Sequence, residues 1–183
     1  MKLVKFAAVV LAATLSAVAV TASAQVMVGG AAMYSNKDII DNTVNSKDHT
    51  TLVAAVKAAG LVATLKGPGP FTVFAPVNAA FAALPAGTVD NLLKPENKPA
   101  LTKVLTYHVV SGKMDSAALS KAIDAGGGKA TLTAVSGGTL TATKSGNTIM
   151  VGDESGGMAK VTIADVVQSN GVIHVVDKVL LPK

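Results

Sequence analysis

Residues 171–182, Gly171-Val-Ile-His-Val-Val-Asp-Lys-Val-Leu-Leu-Pro182, form a nearly unbroken apolar run rich in Val and Ile. Asn170-Gly171 opens it and Pro182 stops it. Such a run, bounded by turn signals and rich in β-branched residues, predicts a strand buried on both faces. A strand of that kind must lie in the middle of a sheet, so the chain has to bring layers to both sides of its own C-terminus. The strand is expected over residues 172–181, with His174 and Asp177 as polar side chains inside it.

The strands that would surround it lie just upstream. Residues 130–135, 139–143, 148–151 and 159–167 have strand character, and Ser136-Gly137-Gly138, Lys144-Ser145-Gly146-Asn147 and the Gly-rich stretch 152–157 connect them, with Gln168-Ser169-Asn170-Gly171 leading into the last strand. Short strands joined by glycine-rich turns predict an antiparallel meander. The first half reads differently. Asp38 starts a helix with Ile40 and Val44 on one side, and Asp48 or Thr50 caps a second helix that ends at Gly60. Gly67-Pro68-Gly69-Pro70 breaks the pattern, and residues 71–74 form a strand that Pro76 ends. Short helices follow at 78–84, 88–93 and 95–105. Tyr107-His108-Val109-Val110 switches to strand, and Asp115 caps another helix that stops at Gly126-Gly127-Gly128. Helices first and strands later mean an α+β fold.

The first residues read as an address. Lys2 and Lys5 precede an apolar stretch at 6–20, and Ala22-Ser23-Ala24 is a small-x-small cleavage site. This pattern predicts a signal peptide over 1–24 cut after Ala24, and a secreted or periplasmic bacterial protein. The apolar stretch is shorter than the roughly 20 residues that a membrane span needs. Residues 25–37, rich in Gly and Ala, look like a flexible leader to a single domain at 38–183.

Composition removes several function classes. All 16 cationic residues are Lys, spaced singly, and there is no Trp. Arg forks and aromatic platforms are the usual tools for nucleic acid, so no nucleic-acid partner is expected. No Cys is present, and His49, His108 and His174 show no metal-ligand spacing, so neither metal nor cofactor is expected. No Ser lies in a G-x-S-x-G elbow. Gly126-Gly127-Gly128-Lys129-Ala130-Thr131 leads into a strand where a phosphate loop needs a helix. Asp153 and Glu154 are neighbours in a turn, while Asp165 and Asp177 fall inside strands that look buried. The residues present no catalytic constellation, which points to a non-enzymatic chain.

Phe71-Thr-Val-Phe-Ala-Pro-Val-Asn-Ala-Ala-Phe81 resembles the first signature box of the fasciclin domain, residues 171–182 resemble the second, and Tyr107-His108 matches the family's Tyr-His motif between them. The chain is similar to the single-domain secreted bacterial members. The resemblance implies a wedge-shaped antiparallel β-sandwich with helices packed beside it. It also implies a role in cell adhesion, or in contact with cell-surface, envelope or extracellular-matrix proteins or glycans. In animal members the Tyr-His motif and an Asp-Ile pair before the second box are linked to integrin recognition. The corresponding candidates here are Tyr107, His108, Asp165 and Val166. Asn36-Lys37-Asp38-Ile39-Ile40 also resembles an animal integrin-binding string, but it lies at the other end of the domain, where it reads as a helix start.

Taken as residues alone, the boxes are structural. Phe74 and Phe81 fill a core with few other aromatics, Phe71 belongs to the same structural signature, Pro76 ends a strand, and His174 and Asp177 are satisfied by hydrogen bonds. One position departs from the family pattern: Val77 stands where a Thr usually caps the next helix, and Asn78 is expected to take over that cap. Three functions remain in competition. An interaction module needs only an accessible surface. A carrier of small ligands needs a closed apolar cavity above about 300 Å³, and the low aromatic content argues against a polysaccharide site built on sugar stacking. A hydrolase or lyase needs an open cleft where His108 or His174 meets an acid, a Ser or a Tyr. Self-association through an exposed edge strand is compatible with the first.

Overall fold

The structure, a computed structural model, describes residues 25–183. The expected signal peptide, residues 1–24, lies outside the described residues. Within 25–37, β1 (Val26–Val28) and β2 (Ala31–Met33) pair as an antiparallel hairpin, and Val28 and Met33 are buried in the core. The hairpin turns at Gly29-Gly30, both at positive φ, the backbone that a tight two-residue turn requires.

Helices follow. The first, α1 (Ile39–Thr43), is capped by Asp38, whose carboxylate accepts from Asp41 N at 2.8 Å. The second, α2 (Thr50–Ala59), ends at Gly60 as its sequence signals. After the one-turn α3 (Val62–Leu65), β3 (Phe71–Pro76) enters the sheet. Then come α4 (Asn78–Ala82), α5 (Thr88–Leu92) and α6 (Lys98–Tyr107). The short β4 (Val109–Ser111) leads to α7 (Ser116–Ala125), capped by Asp115, which accepts from Ala118 N at 2.8 Å. The meander is β5 (Lys129–Thr133), β6 (Thr139–Ser145), β7 (Thr148–Gly152), β8 (Met158–Gln168) and β9 (Gly171–Val176).

The seven-stranded sheet has the order β4-β3-β9-β8-β7-β6-β5. Neighbours run antiparallel except β3 and β9, which pair in parallel from Phe71↔Gly171 to Pro76↔Val176. Its two edges approach through the bridge Val110↔Ala134, and Val135 N donates to Val109 O at 2.7 Å, so the sheet is nearly closed. Every residue of β9 is buried. Strand alternation sorts its side chains into two cores. Ile173 and Val175, with Val73 and Ala75 of β3, face the layer of α1, α2, α6 and the hairpin. Val176, with Phe74 of β3, faces the barrel interior, where Leu119 and Ile123 of α7, Tyr107 and Leu180 also pack.

Three local expectations are corrected. Tyr107 is the last residue of α6 and His108 its C-cap in αR geometry, so neither belongs to a strand. The helical spacing of Leu101, Val104, Leu105 and His108 carries through to the cap, and the chain extends only from Val109. β9 stops at Val176, and Asp177 is exposed, with Oδ1 accepting from Lys160 N at 2.7 Å. Val179 and Leu180 are buried beyond the strand, so the apolar pattern there marks a packed tail. Asn78 does not cap its own helix: the N-cap of α4 is Val77, without a side-chain bond.

Asn78 serves α2 instead. Its Oδ1 accepts from Thr51 N at 3.0 Å and Thr50 Oγ1 at 3.2 Å, and its Nδ2 donates to Lys47 O at 2.8 Å. The amide thus satisfies an orphan donor at the start of a helix to which it does not belong. Asn78→Ala is expected to cost about 1–2 kcal/mol, measured by urea unfolding. A loss of only a few tenths would mean that water replaces the amide.

Candidate functional site

The four candidate partner-binding residues fall at two places that share no hydrogen-bond partner. Tyr107 and His108 sit at the C-terminus of α6, and both are buried. The Tyr107 hydroxyl donates to Thr139 O at 2.7 Å and accepts from Glu154 N at 3.0 Å, tying the start of β6 and the β7–β8 turn to the helix end. Its ring lies against Gly138, where a Cβ would stand 2.6 Å from Cε2, so the glycine is needed for this approach. Burial pushes the phenol pKa up. His108 Nδ1 donates to Val104 O at 2.7 Å, and Nε2 accepts from Leu180 N at 2.9 Å. The imidazole therefore satisfies a carbonyl in the last turn of α6 and holds the tail, a pattern that needs the neutral Nδ1–H tautomer. Burial holds its pKa down at about 4.

Asp165 and Val166 lie on β8, where the register to β9 jumps between Ile163 and Val166. Asp165 sits in that bulge at φ +58°, a left-handed geometry that Asp tolerates better than most residues. Its carboxylate accepts from Ser116 N at 2.6 Å and from Ser116 Oγ, fixing the start of α7 against β8. Its own N donates to His174 Nδ1 at 3.4 Å, while His174 Nε2 donates to Met114 O at 2.8 Å. His174 is fully buried, and desolvation lowers its pKa. Val166 is buried in the core shared with the helices.

A surface groove of about 380 Å³ opens beside the bulge, between β8 and the N-terminal hairpin. Gln25, Val26, Tyr34 and Asn36 line one side, and Asp165 and Val167 the other. Tyr34 and Val167 are among the large apolar side chains left exposed, and Lys37 Nζ stands 5.0 Å from the Tyr34 ring centroid, within cation–π range. Buried polar groups hold the two walls together. Asn42 Nδ2 donates to Tyr34 O at 2.7 Å and to Gln168 Oε1, and Asn42 Oδ1 accepts from Tyr34 N at 3.0 Å. Ser169 N donates to Lys37 O at 2.9 Å. Sequence reasoning placed Asp165 and Val166 but missed Tyr34 and the hairpin. The signal was present in Val26, Val28, Ala31 and Met33 alternating around Gly29-Gly30.

The chemistry open to these groups is limited. Both ring nitrogens of His108 and of His174 are engaged by main-chain groups, so neither has a free position for a proton in flight. His49 is buried as well, with Nδ1 on Ser46 Oγ at 2.9 Å. Its Nε2 lies toward the Ala75 carbonyl without reaching hydrogen-bond geometry. Among the described residues, no group of three His, Cys, Asp or Glu side chains stands close enough to hold a metal ion. An apolar void under α2 and β3 measures about 30 Å³, far below the roughly 300 Å³ of a small-molecule pocket. No described helix is long and apolar enough to cross a membrane.

Comparison with known proteins fits this architecture. The fasciclin-domain family model matches residues 47–182. The Synechocystis protein sll1483 is 47% identical over 163 residues, covering 88% of this chain and 83% of that protein. The Synechocystis protein sll1735 is 40% identical over 147 residues, covering 79% of this chain and 97% of that protein. The fold is similar to that of the FAS1 domain pair from the insect cell adhesion molecule fasciclin I, with a TM-score of 0.69 at 16% identity. That match covers 79% of this chain and 51% of the other, so this chain spans about half of the pair. The chain belongs to the fasciclin-domain family.

Proposed function

We propose that the chain is a non-enzymatic fasciclin module, exported to the periplasm or beyond the cell. It acts by contact with envelope, cell-surface or extracellular proteins, and the groove beside Asp165 is its contact surface. The observation that carries this reading is the contrast between the two candidate pairs. Tyr107 and His108 are buried and committed to internal hydrogen bonds, whereas the Asp165 bulge borders a groove with Tyr34 and Val167 exposed at its rim. An exposed Tyr beside aliphatic and amide groups suits protein contact, because its ring offers a large surface at low conformational cost. The similarity to an insect cell adhesion molecule supports the same class of function. Tyr107 and His108 then act through the fold, holding the meander and the tail. The export reading rests on the signal pattern in residues 1–24.

The test is binding of the purified, labelled chain to its own envelope fraction. Saturable binding is expected, and the double substitution Tyr34→Ala, Val167→Lys should weaken it by about tenfold or more, with the melting temperature little changed. Absence of saturable binding, or equal binding by the variant, would overturn the proposal. A glycan in the same groove is the second outcome: binding would then survive protease treatment of the envelope and be lost on glycosidase treatment. A carrier of apolar ligands is disfavoured by the 30 Å³ void.

A further inference from the structure

Beneath the β1–β2 hairpin lies a histidine with half of its polar capacity unused. His49 is buried, its Nδ1 is paired with Ser46 Oγ at 2.9 Å, and its Nε2 has no hydrogen-bond partner. The ring borders a void of about 10 Å³, room for one water molecule at most. The hairpin closes that void from above with Val28 and Met33, and Thr43, Ala75, Val166 and Ile173 of α1, β3, β8 and β9 form its other walls. None of these six side chains titrates. Asp48, next in the chain, is the charged group that acts on the ring.

The turn that carries His49 is anchored from the opposite side. Asn78 Nδ2 donates to Lys47 O at 2.8 Å and its Oδ1 accepts from Thr51 N at 3.0 Å, so this turn does not need the hairpin to stay in place. The hairpin itself is held by few attachments: the buried side chains of Val28 and Met33, the bond from Lys47 N to Gly29 O at 3.2 Å, and the paired bonds between Asn42 and Tyr34. Two strands alone are barely stable in water, and a unit with so few contacts opens before the rest of a domain.

We propose that the hairpin is an acid-released strap: protonation of His49 favours the undocked hairpin, and undocking removes the wall of the contact groove that Val26 and Tyr34 form. In the imidazolium both ring nitrogens carry hydrogens. Ser46 Oγ can turn to accept one, but the other points toward the Ala75 carbonyl outside hydrogen-bond geometry, and the dry void offers no further acceptor. With the hairpin docked, desolvation therefore holds the pKa below its ordinary value of 6.5, although the Ala75 carbonyl and the Asp48 charge oppose this. With the hairpin lifted, water reaches the ring and the imidazole titrates near its ordinary value. The undocked state binds the proton more readily, so falling pH shifts the balance toward it. The effect on contact rests on the Tyr34 groove being the contact surface; the release itself does not.

The test is amide hydrogen exchange of the 15N-labelled chain, read by NMR as protection factors at about pH 7.5 and 5.5. Two amides bridge the hairpin and the body, Lys47 N to Gly29 O and Tyr34 N to Asn42 Oδ1. Both are expected to exchange well ahead of the α2 amides, the mark of a local opening. Both should lose about tenfold in protection between the two pH values, the limit set by one linked proton. In His49→Gln this loss should vanish, while the α2 amides still respond through His108 and His174. Gly29→Ala keeps the histidine and disturbs the docking instead, since a Cβ there would stand 2.7 Å from Asp48 N. Its His49 ring should titrate nearer the ordinary value than in the parent chain. Hairpin amides that exchange together with α2, protection unaltered by pH, an equal loss in His49→Gln, or an unmoved His49 titration in Gly29→Ala would each overturn the proposal. None of these readouts involves a partner, so a groove that binds nothing and a strap that ignores acid are told apart.

Discussion

Stability is expected to fall by roughly 3 kcal/mol from His108 alone as the pH drops from about 6.5 to about 4. In the unfolded chain the imidazole titrates at its ordinary value, near 6.5, whereas burial holds the folded value at about 4. Between those values the unfolded state binds a proton that the folded state refuses. Acid therefore favours unfolding through this window, and stability is fully present only above it. Below about pH 4 the folded state also takes up the proton, and this contribution stops changing. His49 and His174 push in the same direction, since desolvation lowers the pKa of both. Burial is the dominant cause, and it outweighs the hydrogen bond to Val104 O and the negative charge of Asp153, which oppose the shift. Urea unfolding across this range should show a steady decline in free energy. In His108→Gln the decline should be shallower, from a lower starting value, because the amide cannot titrate. A flat profile in the parent chain, or an identical slope in the variant, would mean that His108 is not a neutral group clasped between Val104 and Leu180.

What could be read from the sequence divides along physical lines. Features fixed by a few neighbouring residues were legible. Asp38 and Asp115 cap their helices, Gly60 ends α2, and the Gly-rich connectors turn the meander from β5 to β9. Features that depend on distant residues were not. The parallel pairing of β3 with β9 joins segments about a hundred residues apart, and no local pattern encodes strand direction. Asn78 has the composition of a cap, but only the folded chain shows that the helix it caps is α2. The tail from Asp177 to Leu181 has the apolar pattern of a strand because burial, not pairing, sets that pattern. At the candidate site, Asp165 and Val166 could be located through the family resemblance. The bulge that holds Asp165 at positive φ belongs to the β8–β9 register, and the hairpin that completes the groove comes from residues far away in the sequence.

Phe74→Ala is expected to cost roughly 3–5 kcal/mol and to lower the melting temperature by about 10 °C or more. Phe74 is fully buried at the centre of β3, between β4 and β9, and its N donates to His108 O at 2.9 Å. Its ring stacks on His174 across the parallel pair, with centroids 5.7 Å apart. Its core neighbours Tyr107, Leu119, Ile123 and Leu180 are themselves buried and packed, so they can close only part of the space that truncation would leave. Phe74→Leu keeps most of the volume and should cost well under half as much, the remaining loss reflecting the stacking and shape that only a ring provides. The Ala variant also bears on the acid response. A cavity beside His174 admits water to a ring whose low pKa comes mainly from desolvation. Its titration, followed by NMR, should therefore move back up toward the ordinary histidine value, and the His174 share of the acid destabilisation should shrink. A loss below about 1 kcal/mol would show that the barrel interior collapses around the gap.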